Sequence, residues 1–259
     1  MQRFPAVILS IPVYFLLVAT GLAAGLVDSI AGGGGLIALP VLLNLGLPPG
    51  LALGTNKFQS CCGTLTASRH YVNEGVVDLR SCRPGIAFTF VGALLGAFAV
   101  EQINSGALAR IIPWLLAAIL AYTVFRPKVG KYDHPPRLPA TAFFAVAGPG
   151  LGFYDGFFGP GAGSLWTISL ILLLGQNFTR ATGYTKIMNA TSNLASLALF
   201  IPTHRVLFPA GIAMAAGQVA GARLGSGLVV KKGARFIRPI FLTIVALTLA
   251  RLLYGAGHR

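Results

Sequence analysis

Apolar residues in this chain do not alternate with polar ones; they run. Ten apolar stretches follow one another, at residues 6–27, 36–47, 51–71, 85–100, 108–125, 140–154, 164–175, 181–201, 207–230 and 236–254. Most approach the ~20 residues that an α-helix needs to cross a bilayer. Two of them, 36–47 and 164–175, are too short: at about 1.5 Å per residue they cannot cover ~30 Å of hydrocarbon. Each is predicted to be a half-helix, or to need the glycine stretch before it to complete a crossing. Two others carry polar residues through their length: Thr55, Asn56, Lys57, Gln59 and Ser60 in the third, and Thr182, Thr185, Lys186, Asn189 and Asn193 in the eighth. Such faces cannot look at lipid. Between the stretches lie short polar connections, among them a predicted loop at 69–83 and a longer Lys-, Arg- and Pro-rich connection at 126–139.

Composition agrees. The chain has 259 residues, 55% hydrophobic and only 10% charged, against about 25% charged in a soluble domain. It therefore lacks the polar surface to dissolve and reads as an all-α integral membrane protein with no soluble domain left over. Residues 6–27 read as a first span rather than a signal peptide, because no Ala-x-Ala-like site precedes Asp28. The net charge of +14 does not point to nucleic acid. The basic residues sit in short loops between apolar stretches, the positive-inside pattern, and no loop has the size or basic–aromatic interleaving of a nucleic-acid module. Cys61, Cys62 and Cys82 have neither metal nor redox spacing and read as small packing residues.

The pattern is doubled. Asp28 is followed by Gly32–Gly35, a short apolar run and Ala52-Leu-Gly-Thr-Asn-Lys57. Asp155 is followed by Gly-Phe-Phe-Gly-Pro-Gly-Ala-Gly163, a short apolar run and Ala181-Thr-Gly-Tyr-Thr-Lys186. Gly92-x-x-x-Gly96 aligns with Gly217-x-x-x-Gly221, which sets Arg223 opposite Phe98. The expected organisation is one transmembrane transporter domain over 1–259: repeat one at 1–125, a cytoplasmic connection at 126–139, and repeat two at 140–259. Five passes per half make the second half enter from the opposite side. The basic residues follow: Arg69, Arg80 and Arg83 flank the third stretch but only Arg205 the eighth, while Arg110 follows the fourth but Lys231, Lys232, Arg235 and Arg238 the ninth. Two inverted repeats of about five segments each, with both termini outside, account for this. If the short segments are re-entrant, the parity changes.

At these residues the chain resembles the TauE/SafE family of sulfite exporter-like permeases. The resemblance rests on Gly25-Leu-Val-Asp28 leading into the glycine run, on Gly54-Thr-Asn-Lys57, and on the Asp155–Gly163 stretch followed by Thr185-Lys186 and Asn189. It implies a multi-pass carrier of the bacterial inner membrane for small organic or sulfur-containing anions such as sulfite or sulfonates.

The candidate site follows from the residues themselves. Gly-interrupted segments in corresponding halves point to a transporter's binding site. Lys57 and Lys186 lie within apolar segments, where a charge costs at least ~2.5–3.5 kcal/mol. They form an electropositive centre for an anion, or they pair structurally with Asp28 or Asp155, or they snorkel. Asp28 and Asp155 pair with the lysines, cap the half-helices or carry a coupling proton. Gly34, Gly35, Gly161 and Gly163 either expose N–H groups to an anion at a half-helix N-terminus or allow close packing. Asn56, Gln59, Asn189 and Asn193 orient an oxyanion or join helices by hydrogen bonds. Arg223 snorkels or adds asymmetric positive charge, and His70 and His204 read as interfacial. No metal-ligand cluster, cofactor motif or nucleotide-binding motif is visible.

The expected function is secondary transport of a small anion by alternating access. A passive channel is the alternative. A membrane-embedded enzyme is disfavoured, because neither a nucleophile–base pair nor clustered metal ligands are present. The expected partners are the substrate anion and the lipid bilayer, with a homo-oligomer allowed and nucleic acid excluded.

Overall fold

A computed structural model describes residues 10–125 and 132–232. Among these residues the fold is entirely helical: α1 Ile11–Ala31, α2 Gly35–Asn44, α3 Pro49–Asn73, α4 Leu79–Glu101, α5 Ser105–Phe125, α6 Ala140–Phe157, α7 Ala162–Leu174, α8 Phe178–Phe200 and α9 Phe208–Lys232. The tenth stretch, 236–254, lies outside the described residues, as do residues 126–131 of the basic connection and Arg235 and Arg238 of the charge argument.

Local chemistry sets the helix ends. The Asp78 carboxylate accepts the Arg80 N–H at 3.0 Å and starts α4, and the Asn177 side chain does the same for Arg180 at the head of α8. These are ordinary N-caps, each satisfying a donor that the first turn leaves free. The expected loop at 69–83 is thereby corrected. α3 runs on to Asn73 and α4 begins at Leu79, so most of that polar stretch is helical. Polar composition alone does not distinguish a helix end from a loop.

The short segments are short helices. α2 has 10 residues and α7 has 13, lengths of about 15 and 20 Å. By contrast α1 and α4 are long and apolar enough to span. α3 and α8 have the length, 25 and 23 residues, but not the apolarity. Their polar side chains are turned inward: Thr55, Lys57, Gln59, Thr182, Thr185 and Lys186 are all buried. The outward face is apolar, with Phe15, Trp114, Val146 and Leu224 exposed, as lipid contact requires.

α3 and α8 lie against each other in the middle. α1 runs along α9 and α4 along α6, while α9 also packs on α3 and α4 on α8. Both long seams close through glycine. A Cβ on Gly92 or Gly96 would collide with the carbonyls of Pro149 and Phe153, and one on Gly221 or Gly225 with those of Leu22 and Leu26. Pro149 and Phe153 stand six and two residues before Asp155; Leu22 and Leu26 stand six and two before Asp28. The glycines facing corresponding carbonyls are therefore Gly92 with Gly221 and Gly96 with Gly225. That is one helical turn beyond the match of Gly92 to Gly217 made from the sequence, and it sets Arg223 opposite Leu94 rather than Phe98. A small-xxx-small spacing repeats along α9 at Gly217, Gly221 and Gly225, so sequence alone offers two registers.

Candidate functional site

Two helix interruptions meet in the centre. α1 stops at Gly32, whose φ of +74° is the left-handed conformation that glycine tolerates, and the Gly32 N–H returns to the Asp28 carbonyl at 2.9 Å. α6 gives way to α7 through Gly159-Pro160-Gly161, with φ of +94° and +82° at the two glycines. The turns touch backbone to backbone: a Cβ on Gly32 would lie 2.5 Å from Gly163 Cα, and one on Gly163 2.6 Å from Gly32 Cα. Only glycine allows that approach.

The buried charges pair across the halves. Lys57 on α3 donates to Asp155 Oδ1 on α6 at 2.5 Å. Lys186 on α8 reaches the C-terminal turn of α1, donating to the Asp28 carbonyl at 2.5 Å and to Asp28 Oδ2 at 3.1 Å. Each lysine thus meets the acidic residue of the other half. Ser192 donates to Asp155 Oδ2, so both oxygens of that carboxylate are engaged. Asp28 Oδ1 accepts the Gly34 N–H at 3.4 Å, bracing the turn that leads into α2. The four side-chain charges sum to zero, and each has an opposite charge in contact, the condition for burying them at tolerable cost.

Amide groups complete the setting. Gln59 donates to Asn56 Oδ1 at 2.9 Å, which leaves the Asn56 amide nitrogen as a donor beside Gly35. The Asn189 amide nitrogen lies against Gly163. Asn193 donates to Thr64 Oγ1 at 3.3 Å, joining α8 to α3. These groups surround a polar cavity with room for about one or two waters. Of the residues singled out from sequence, Asp28, Gly35, Asn56, Lys57, Asp155, Gly161, Gly163, Asn189 and Asn193 line it. Gly34, Gln59 and Lys186 do not line it. The Ala162 N–H that follows Gly161 is taken by the Gly159 carbonyl at 3.0 Å.

Sequence reasoning placed Ser60, Thr64 and Ser192 on the polar segments but not among the site residues. A signal for the first two existed: Asn56, Ser60 and Thr64 recur every four residues, one face of a helix. Ser192 carried none, since its link to Asp155 joins distant parts of the chain. Outside the cavity, Arg223 Nη1 lies 2.6 Å from His70 Nδ1, tying α9 to the end of α3. Among the described residues the cysteines are free thiols and no cluster of three metal-ligating side chains occurs.

Comparison with known proteins gives a consistent result. Residues 17–252 match the family described as "Sulfite exporter TauE/SafE". The chain is 40% identical over 257 residues to the "Probable membrane transporter protein YfcA" of Escherichia coli, covering 99% of this chain and 96% of that protein. It is 41% identical over 242 residues to a "Probable membrane transporter protein" of Haemophilus influenzae, covering 93% and 95%. A more distant relative, the "Probable membrane transporter protein YunE" of Bacillus subtilis, is 23% identical over 270 residues, covering 93% and 97%. No solved structure matches the chain.

Proposed function

The chain belongs to the sulfite exporter TauE/SafE family of membrane transporters, and from that premise we propose that it is a secondary transporter of a small anion across the bacterial inner membrane. Sulfite, sulfonates or related organic anions are the substrate class. The observation that supports this reading is the pair of buried lysine–carboxylate contacts flanking one polar cavity where two broken helices meet. An anion in a low-dielectric core needs paired charge and directed donors. Lys57 supplies the ammonium at the cavity wall, the Lys186–Asp28 pair adds a second buried cation held through Asp28, and Asn56 and Asn189 supply amide donors.

Alternating access suits the arrangement. The site's cations are held by the protein's own carboxylates, so an anion binds only as those contacts rearrange. We read the two halves, 1–125 and 140–259, as inverted repeats of one domain, joined by a cytoplasmic connection at 126–139. The reciprocal pairs Lys57–Asp155 and Lys186–Asp28, and the matching seams α1–α9 and α4–α6, support that reading. The relatives named membrane transporters support transport rather than catalysis as the activity proposed.

The test is counterflow in liposomes holding the purified protein. Labelled sulfite outside should accumulate against unlabelled sulfite inside, and its initial rate should saturate. Flux that rises linearly and shows no trans-stimulation would make the protein a channel. Absence of flux for sulfite, isethionate and acetate alike would overturn the substrate class.

A further inference from the structure

The two lysine–carboxylate pairs correspond in sequence but differ in every contact that matters for exchange. Among the described residues, Lys57 Nζ has one hydrogen-bond partner, Asp155 Oδ1, and Lys57 lines the cavity. Lys186 is fully buried and does not line the cavity, and its shorter bond goes to the Asp28 backbone carbonyl at 2.5 Å. That carbonyl belongs to the last turn of α1 and also accepts the Gly32 N–H, so the ammonium adds a second donor at the negative end of the helix dipole. The third partner differs too. Ser192, six residues after Lys186, holds Asp155; the residue six after Lys57 is Gly63, covered by the Gln218 side chain, with no hydroxyl to hold Asp28.

We propose that Lys57, Asp155 and Ser192 form the exchange centre for anion and proton, and that Lys186 and Asp28 form a fixed latch joining α8 to the end of α1. This rests on the transport reading above. An incoming monovalent anion takes the Lys57 ammonium and displaces the Asp155 carboxylate. The freed carboxylate takes one proton from the same side as the anion, becomes a carboxylic acid, and keeps its link to the Ser192 hydroxyl. Lys57 remains protonated throughout, and the centre plus its anion carries the same charge before and after. One proton therefore travels with each monovalent anion, and the step is electroneutral. Asp28 does not exchange in this way, because its lysine does not reach the anion.

The charged and titratable groups around Asp155 are consistent with a single local partner. α3 brings Lys57, α1 brings Asp28, α8 brings Lys186, and α6 itself brings Tyr154, whose hydroxyl donates to the Pro160 carbonyl. α7 carries no charged residue, and those of α4, namely Arg80, Arg83 and Glu101, lie towards its ends.

The test uses full-length protein in liposomes with labelled sulfite, isethionate and acetate as probes. Two rates are compared: counterflow exchange, and net uptake driven by an inward proton gradient. Asp155→Asn mimics the protonated carboxylate, so the ratio of driven uptake to exchange should fall at least ~10-fold, the loss of a group that must bind and release the proton. Asp28→Asn and Lys186→Gln should lower protein stability and overall rate, yet keep that ratio within about twofold of wild type. Lys57→Gln should weaken both modes by about 100-fold, the usual scale for a removed buried charge partner. Should Asp155→Asn not fold, Ser192→Ala serves: loss of a donor to the carboxylate favours its protonated form, so the pH profile of driven uptake should move to higher pH. Equal ratios for Asp155→Asn and Asp28→Asn, or an unmoved profile for Ser192→Ala, would overturn the division of roles while leaving transport standing. A wild-type protein that moves none of the three probes would overturn the transport reading, and this inference with it.

Discussion

Removing one partner of the Lys57–Asp155 pair should damage the protein more than removing both. At 2.5 Å and an effective dielectric of ~20, the attraction is about 7 kcal/mol before desolvation is counted. Most of that offsets the cost of burying two charges, so the net worth of the pair is small, whereas a single unpaired charge costs about 3–5 kcal/mol. Asp155→Asn and Lys57→Gln should each lower the melting temperature in detergent by on the order of 10 °C. The double variant should recover most of the loss, giving a coupling energy of at least ~2 kcal/mol. The second pair supplies an internal comparison. At 3.1 Å its attraction is about 5 kcal/mol on the same basis, but Lys186 also holds the Asp28 carbonyl. The Lys186→Gln/Asp28→Asn double variant should therefore stay about 1.5–3 kcal/mol below the first double, the value of one charge-assisted hydrogen bond. Thermal scans of all six variants and the parent provide the measurement. If the Lys57/Asp155 double variant melts as low as the sum of its singles, the pair is not energetically coupled and the reasoning fails.

Other outcomes follow from the same contacts. Lys57→Arg should restore only part of the transport lost in Lys57→Gln, because a forked guanidinium does not occupy the place of a compact ammonium; full rescue of initial rates would show that charge alone suffices. Gly96→Leu forces a side chain into the Phe153 carbonyl and should cost more than about 3 kcal/mol, seen as poor recovery of folded protein by size exclusion; a normal profile would place α4 further from α6. Gln218 is buried with both amide atoms unpartnered among the described residues, so Gln218→Met should raise the melting temperature by several degrees, on a gain of about 1–3 kcal/mol. A fall in melting temperature would mean that the amide has partners. A reporter fused after Arg259 should behave as periplasmic under the inverted-repeat organisation, and strong cytoplasmic activity from an intact fusion would exclude it.

The helical class was legible because its cause is one-dimensional. Apolar runs of membrane length, broken by basic connections, leave few alternatives in lipid. The two short helices could be read for the same reason: glycine and length both act locally. Asp28, Asp155, Lys57 and Lys186 stood out because charge inside an apolar run is costly wherever the chain folds. Their crossed partnership was less accessible. Sequence left a structural ion pair open but could not say which lysine meets which carboxylate, since that depends on how α3 and α8 sit against the broken helices. The register of the glycine seams differs by a turn from the sequence alignment, because three evenly spaced glycines on α9 each face a carbonyl of α1, and only the place of those carbonyls relative to Asp28 sets the match. Ser192 is lost among many hydroxyls on α8; only its distance to Asp155 sets it apart.

The glycine seams bear on how such a molecule deforms. α1 is fused to α9, and α4 to α6, by contacts too close for any side chain to buffer. Each fused pair takes one helix from the first half of the sequence and one from the second. A motion that preserves the seams therefore cannot swing one half against the other. It must carry mixed pairs as stiff levers on either side of α3 and α8, with the bare backbone crossing at Gly32 and Gly163 as their fulcrum. The halves that correspond in sequence and the units that such a motion would carry are different divisions of the same chain.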